Sequence, residues 1–171
     1  MKKITITLLL FITCFTMFAQ DNQMATNELK LNMSNLIGFK WFDVGYEHIL
    51  NEESSIGASL LFSLDKDSEG LDEYRTFSLT PYYRHFFSNK YAAGFFVEAF
   101  TMIHSGEEEI SNSISTDEKY TDLAVGISVG TKWVSNRGFV AEIYAGIGRD
   151  MFDQSDLEIV GRGGVSIGYR F

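Results

Sequence analysis

From Glu28 to the C-terminus, apolar residues recur at every second position in segment after segment. Phe42, Val44, Tyr46 and His48 alternate with Asp43, Gly45 and Glu47. Ile56, Ala58, Leu60 and Phe62 alternate with Gly57, Ser59 and Leu61; Phe77, Leu79, Pro81 and Tyr83 alternate with Ser78, Thr80, Tyr82 and Arg84. The same beat runs through Glu28–Ile37, Ala92–His104, Thr121–Val134, Phe139–Gly148 and Val160–Phe171. A period of two places successive side chains on opposite faces, so each segment is predicted to be a strand with one apolar face. Eight such strands leave edges that must be paired, and closure into an antiparallel up-and-down barrel pairs all of them. Leu29, Leu31 and Met33 carry the alternation through the first segment, which therefore reads as strand to Ile37 with a short turn near Gly38–Lys40.

Period two alone does not say which face meets water. The connections do. Asn51–Ser54, Ser88–Tyr91 and Ser135–Gly138 are tight turns after the second, fourth and sixth strands. Asp65–Tyr74, Ser105–Tyr120 and Arg149–Ile159 are longer and fall at the other end. Short turns at one end and long loops at the other are the habit of outer-membrane barrels, and an even strand number puts both termini on the periplasmic side. The formal charge is −9, yet residues 65–74, 105–122 and 149–158 alone hold fifteen acidic and three basic residues, a net of −12. The strands are thus close to neutral. Their charges, Lys30, Asp43, Glu47, Arg84, Glu98, Lys132, Glu142 and Arg170, all share the face that carries Gly and Ser. The opposite series has no charge away from the strand ends, where Arg75 lies. An Arg or Lys facing lipid at the bilayer midplane costs ~2–4 kcal/mol, so this distribution fits a lipid-facing apolar series and an inward polar one. Eight strands enclose just enough room for side chains, so the inward charges are expected to pair, fill the bore and leave no open pore. Aromatics gather at both ends, with Phe86, Phe87, Tyr91, Trp133, Phe139, Tyr169 and Phe171 in one group and Phe39, Trp41, Phe42, Tyr74 and Tyr120 in the other, as interfacial belts would. A water-soluble barrel has the same period but alternates apolar-in and charged-out; the loop pattern favours the membrane.

The N-terminus agrees. Lys2 and Lys3 precede the apolar run Ile4–Phe18, and Ala19 offers a small residue for cleavage, the layout of a secretory signal peptide. The expected organisation is a signal peptide over residues 1–19, a short periplasmic segment over 20–26 and a barrel over 27–171. The one cysteine, Cys14, lies inside the apolar run, preceded by Phe11, Ile12 and Thr13 rather than the small residues lipidation requires. The acidic balance excludes a nucleic-acid surface.

These features resemble the small outer-membrane β-barrel families of the Bacteroidota. The resemblance rests on Val44-Gly45-Tyr46-Glu47, Pro81-Tyr82-Tyr83-Arg84, Gly94-Phe95-Phe96-Val97 and the terminal Gly168-Tyr169-Arg170-Phe171. A terminal Phe with an aromatic two positions earlier is similar to the signal read by the barrel assembly machinery, which implies that Tyr169 and Phe171 are read during insertion. Outer-membrane lipid and lipopolysaccharide are the other partners implied.

Chemistry is sparse. Some barrels of this size modify lipid A with His, Ser and a carboxylate. His48 and His85 have lipid-facing parity near the turn end, and His104 adjoins Ser105, but neighbours on a strand point to opposite faces and would not pair. Asp65-Lys66-Asp67-Ser68-Glu69-Gly70 partly matches a calcium loop, yet Thr76 stands where a bidentate Glu is needed. The acidic loops are expected to hold divalent cations only loosely. No catalytic, cofactor or metal residue is assigned. The expectation is a non-enzymatic barrel with a structural or surface-recognition role; a lipid A-modifying enzyme and a narrow channel are the alternatives.

Overall fold

A computed structural model describes residues 25–64, 73–108, 118–152 and 159–171. The expected signal peptide, the calcium-like stretch 65–70 and most of the acidic connections lie outside the described residues. Eight strands close into one antiparallel barrel in sequential order. They are β1 (Asn27–Asn32), β2 (Trp41–Ile49), β3 (Ser54–Ser63), β4 (Glu73–Phe86), β5 (Gly94–Glu108), β6 (Glu118–Val134), β7 (Phe139–Asp150) and β8 (Ile159–Arg170). β1 pairs with β8 through Leu29↔Tyr169 and Leu31↔Ile167, and Asn27 and Phe171 exchange backbone hydrogen bonds of 3.0 and 2.8 Å where the ring closes. No described helix is long and apolar enough to cross a membrane, and strands need none.

Three departures from the sequence reading have physical causes. First, the Glu28–Ile37 segment is not all strand: β1 stops at Asn32, and Met33–Phe39 form a short helix, α1. Asn32 caps it, its side chain accepting from the Asn35 amide at 3.2 Å, and Lys40 ends it in the left-handed region at φ 52°. Side chains take over the lost ladder: Asn32 Nδ2 donates to Gly163 O at 3.1 Å and the Val165 amide donates to Ser34 Oγ at 2.9 Å. Asn and Ser compete for backbone partners in this way, and alternation alone does not register it. Second, the strands outlast the expected loops. β6 runs for 17 residues from Glu118 and β7 extends to Asp150, so Asp122 and Asp150, counted with the acidic loops, stand at buried inward positions. Third, a bulge between Arg75 and Phe77 shifts the β4–β5 register and turns Arg75 towards the bore, against its apparent lipid-facing parity.

Elsewhere the alternation holds. Leu79, Ile103, Val129, Ile143 and Ile167 are exposed on the outside, while their neighbours Thr80, His104, Ser128, Glu142 and Ser166 are buried inside. Inward glycines make room for inward rings: a methyl on Gly130 would stand 2.6 Å from both Phe96 Cζ and the Ile143 carbonyl. Gly138, at φ 84°, sits in the β6–β7 turn, its amide bonded to Ser135 O at 3.0 Å.

Candidate functional site: the barrel interior

The interior has two storeys. The lower is an ion-pair network among strands that share a height. Arg170 on β8 meets Glu28 at 2.6 Å; Glu28 meets Lys132 at 2.8 Å; Lys132 meets Glu47 at 2.5 Å. Glu47 also takes Lys30 at 2.5 Å and Arg84 at 2.9 Å. Glu142 takes Lys30 at 2.9 Å and Arg84 at 2.8 Å, and Arg84 Nε reaches Glu98 at 2.6 Å. Arg162 closes the chain on Glu98. Hydroxyls take further lone pairs: Ser55 and Tyr82 donate to Glu47 at 2.7 and 3.2 Å, and Ser128 to Glu98 at 3.0 Å. Buried charges survive only when paired and hydrogen-bonded to this degree. Aromatic faces complete the shell: the Arg84 guanidinium lies 4.3 Å from the Phe96 ring centroid and 4.6 Å from that of Tyr82.

Below the network the bore is closed. Ile49, Phe86, Ala92 and Phe96 form an apolar cluster that reaches up to Tyr144 beside Arg84. Arg170 donates to the carbonyls of Tyr91 and Ala92 at 3.1 and 2.7 Å, and the Ala92 amide bonds Glu52 O at 2.8 Å, tying the β4–β5 connection across the base. Phe86 is thus part of the stopper and not of an outer belt. Phe87, Trp133, Phe139, Tyr169 and Phe171 do lie on the outside of that end.

The network was legible from parity, with two omissions. Glu28 and Arg162 share the inward parity of Lys30 and of Gly164, Ser166 and Arg170, but one opens the first strand and the other sits among glycines. Both are central: Glu28 joins Arg170 to Lys132, and Arg162 carries the charge upwards.

The upper storey is a cavity of about 450 Å³ on the side bounded by α1, β2, β3, β4 and β8. Asp43, Arg75 and Arg162 line it with Trp41, Asn35, Thr80 and Tyr144. Met102 also lines it and packs with Tyr82, Phe100, Ala124 and Val160 into an apolar cluster. Asp43 is 6% exposed. Its Oδ2 accepts from Asn32 Nδ2 at 3.0 Å and Asn35 Nδ2 at 2.8 Å, and no hydrogen bond from a described residue reaches Oδ1. Arg162 also donates to Ser59 Oγ at 3.2 Å. Arg75 lies 6.0 Å from the Trp41 ring, which stacks on Phe39 at 4.9 Å.

The three histidines fall in two classes. His48 and His85 sit on the outer face near the turns, His48 Nδ1 within 2.9 Å of Asn27 Oδ1 and His85 edge-on to Phe87 at 4.7 Å. His104 points inwards, and its Nε2 meets Asp150 Oδ1 at 2.9 Å, both side chains buried. Ser105 is not its partner, as parity predicts. Ser78 is its cross-strand neighbour on β4. Asp122 accepts from the amides of Leu123 and Phe152 at 2.7 and 3.2 Å and so anchors the chain leaving β7. Among the described residues, no group of three or more His, Cys, Asp or Glu is placed to hold a metal ion.

No curated protein and no solved structure matches the chain. It belongs to the family described as protein of unknown function (DUF3575), which matches residues 5–165.

Proposed function

For a barrel of this family we propose an integral outer-membrane protein that is not an enzyme, with its sealed end towards the periplasm and its cavity towards the outside, serving in surface structure or recognition. One observation carries the reading: the barrel is inverted relative to a water-soluble protein. Charges fill the interior, while the outer wall is apolar over its middle, with Ile127 61% and Ile147 65% exposed. A wall-sized apolar surface far exceeds the patches that soluble monomers expose, and lipid is the solvent that suits it. Ile37, 76% exposed on α1 at the cavity end, and the exposed rings of Phe87, Trp133, Phe139 and Tyr169 at the turn end fit the two interfaces. Tyr169 and Phe171, both exposed, remain available to the assembly machinery. The network and the stopper beneath it disfavour a channel.

The test is insertion. The refolded protein should enter lipid vesicles, migrate on gels as a heat-modifiable species and leave its strands protected from protease. A chain that stays soluble and monomeric without detergent, and does not associate with vesicles, would refute the reading.

A second reading, a lipid-active enzyme, draws on the His104–Asp150 pair. A histidine oriented by a carboxylate is half of a nucleophile-activating arrangement. The pair is buried and does not line the cavity. Turnover of a lipid A acyl ester that disappears in His104→Gln would establish this reading.

A further inference from the structure

The carboxylates of the lower storey, Glu28, Glu47, Glu98 and Glu142, are each held by ion pairs. Asp43 is held differently. Two amide donors occupy Oδ2, and Oδ1 is left with no described hydrogen bond although the residue is buried and lines the upper cavity. Oδ1 is open to the cavity rather than sealed from it, so a donor on an entering ligand can take its free lone pairs in place of water.

We propose that this cavity binds a neutral, hydroxyl-rich ligand, a saccharide of one or two rings. Asp43 Oδ1 accepts from one hydroxyl, and Arg75 or Arg162 donates to a neighbouring one. The inference takes the recognition reading one step further but does not rest on membrane location. Its chemistry follows from the lining. An anion meets Asp43, and a cation meets both guanidiniums. An apolar ligand leaves Oδ1 unpaired. A hydroxyl is donor and acceptor at once, so two adjacent hydroxyls satisfy a carboxylate and a guanidinium side by side. A volume of about 450 Å³ is that of an ordinary small-ligand pocket. Asn35 and Thr80 add polar groups, and Trp41, braced by Phe39, adds a rigid apolar wall for the C–H faces of a ring.

The sugar can come from a free glycan or from the glycan of a lipopolysaccharide, and the arms of the experiment separate these. The chain has two Trp residues, so Trp133→Phe leaves Trp41, which lines the cavity, as the sole fluorescent reporter. This variant, refolded in lauryldimethylamine oxide (a detergent without sugar), is titrated with maltose, N-acetylglucosamine and lipid-free core oligosaccharide. Inorganic phosphate and glycine serve as probes for an anion and a zwitterion. A saturable change in Trp41 emission with at least one sugar is expected. A response to maltose or N-acetylglucosamine points to a free glycan, and one to core oligosaccharide alone points to lipopolysaccharide. In Asp43→Asn the new amide turns its oxygen to Asn32 and Asn35 and its NH₂ to the cavity, replacing an acceptor by a donor. Affinity should fall about tenfold or more. Arg75→Gln should weaken it in the same direction; heat-modifiable migration verifies that both variants fold. The proposal is overturned if no sugar gives a saturable change at high millimolar concentration. It is also overturned if only phosphate or glycine responds, or if folded Asp43→Asn and Arg75→Gln bind as the parent does. Loss of binding with vesicle insertion intact refutes the ligand and leaves the membrane reading standing.

Discussion

The two storeys of this barrel are lined by similar residue types and do different things. Around Glu47, three cations and two hydroxyls converge on one carboxylate, and every charge is shared. Around Asp43, one oxygen is bonded twice and the other faces a cavity. The difference lies in how the bore is filled. In the lower storey Phe86 and Phe96 fill the space between charges, so that ions lie within contact distance of one another. In the upper storey the equivalent space is lined by Ser34, Ser59 and a run of glycines, Gly161, Gly163 and Gly164, and it stays open. Charge inside a barrel is therefore structural where large side chains crowd it and available where small ones surround it.

The sharpest way to break this contrast is Arg84→Ala. It takes one of two cations from Glu98 and from Glu142, and one of three from Glu47. Removing one partner of a buried ion pair costs ~3–5 kcal/mol, and the urea midpoint of the refolded barrel should fall accordingly. An unchanged midpoint would mean that the network is not what stabilises the lower storey. A second comparison sets the wall against the bore. Ile127→Arg places on the outside the same charge that Arg84 carries inside, at a loss of ~2–4 kcal/mol if the wall meets lipid at midplane; vesicle-refolding titrations would measure it. If the variant folds as well as the parent in vesicles, the wall does not face hydrocarbon.

Gly130→Ala probes the crowding itself. The added methyl would meet the Phe96 ring and the Ile143 carbonyl, both at 2.6 Å. Overpacking of that kind costs ~1–3 kcal/mol and should lower the midpoint. Ala at Gly161, whose Cβ would meet nothing within 4 Å, should change little by comparison. The smallest expected effect is in the upper storey. Ser59→Ala removes one hydrogen bond to Arg162 beside an open cavity, and the midpoint should move by ~1 kcal/mol or less. A loss as large as that of Arg84→Ala would dissolve the distinction between the storeys.

Much of this was legible before any coordinates. Parity put Lys30, Glu47, Arg84, Glu98, Lys132, Glu142 and Arg170 on one face, and the narrow bore of eight strands required them to meet. Parity failed where the backbone left the ideal strand. Arg75 was misassigned because a bulge resets the count by one, and a bulge leaves no mark in the alternation. Met33 was misassigned because the Asn32 and Ser34 side chains replace the β1 ladder, a trade decided by contacts with Gly163 and Val165 more than a hundred residues away.

The sequence by itself determined the strand number, the antiparallel closure and the face on which most of the strand charges lie, because these follow from a two-residue period and from the need to pair every edge. Only the tertiary structure decided which inward carboxylates are spent on partners and which is left open. That depends on height along the bore and on the sizes of side chains from distant strands, such as Phe96 over Gly130 in the lower storey and Gly161 beside Arg75 in the upper. Distances across a barrel are set by register and shear, and no local pattern in the chain encodes them.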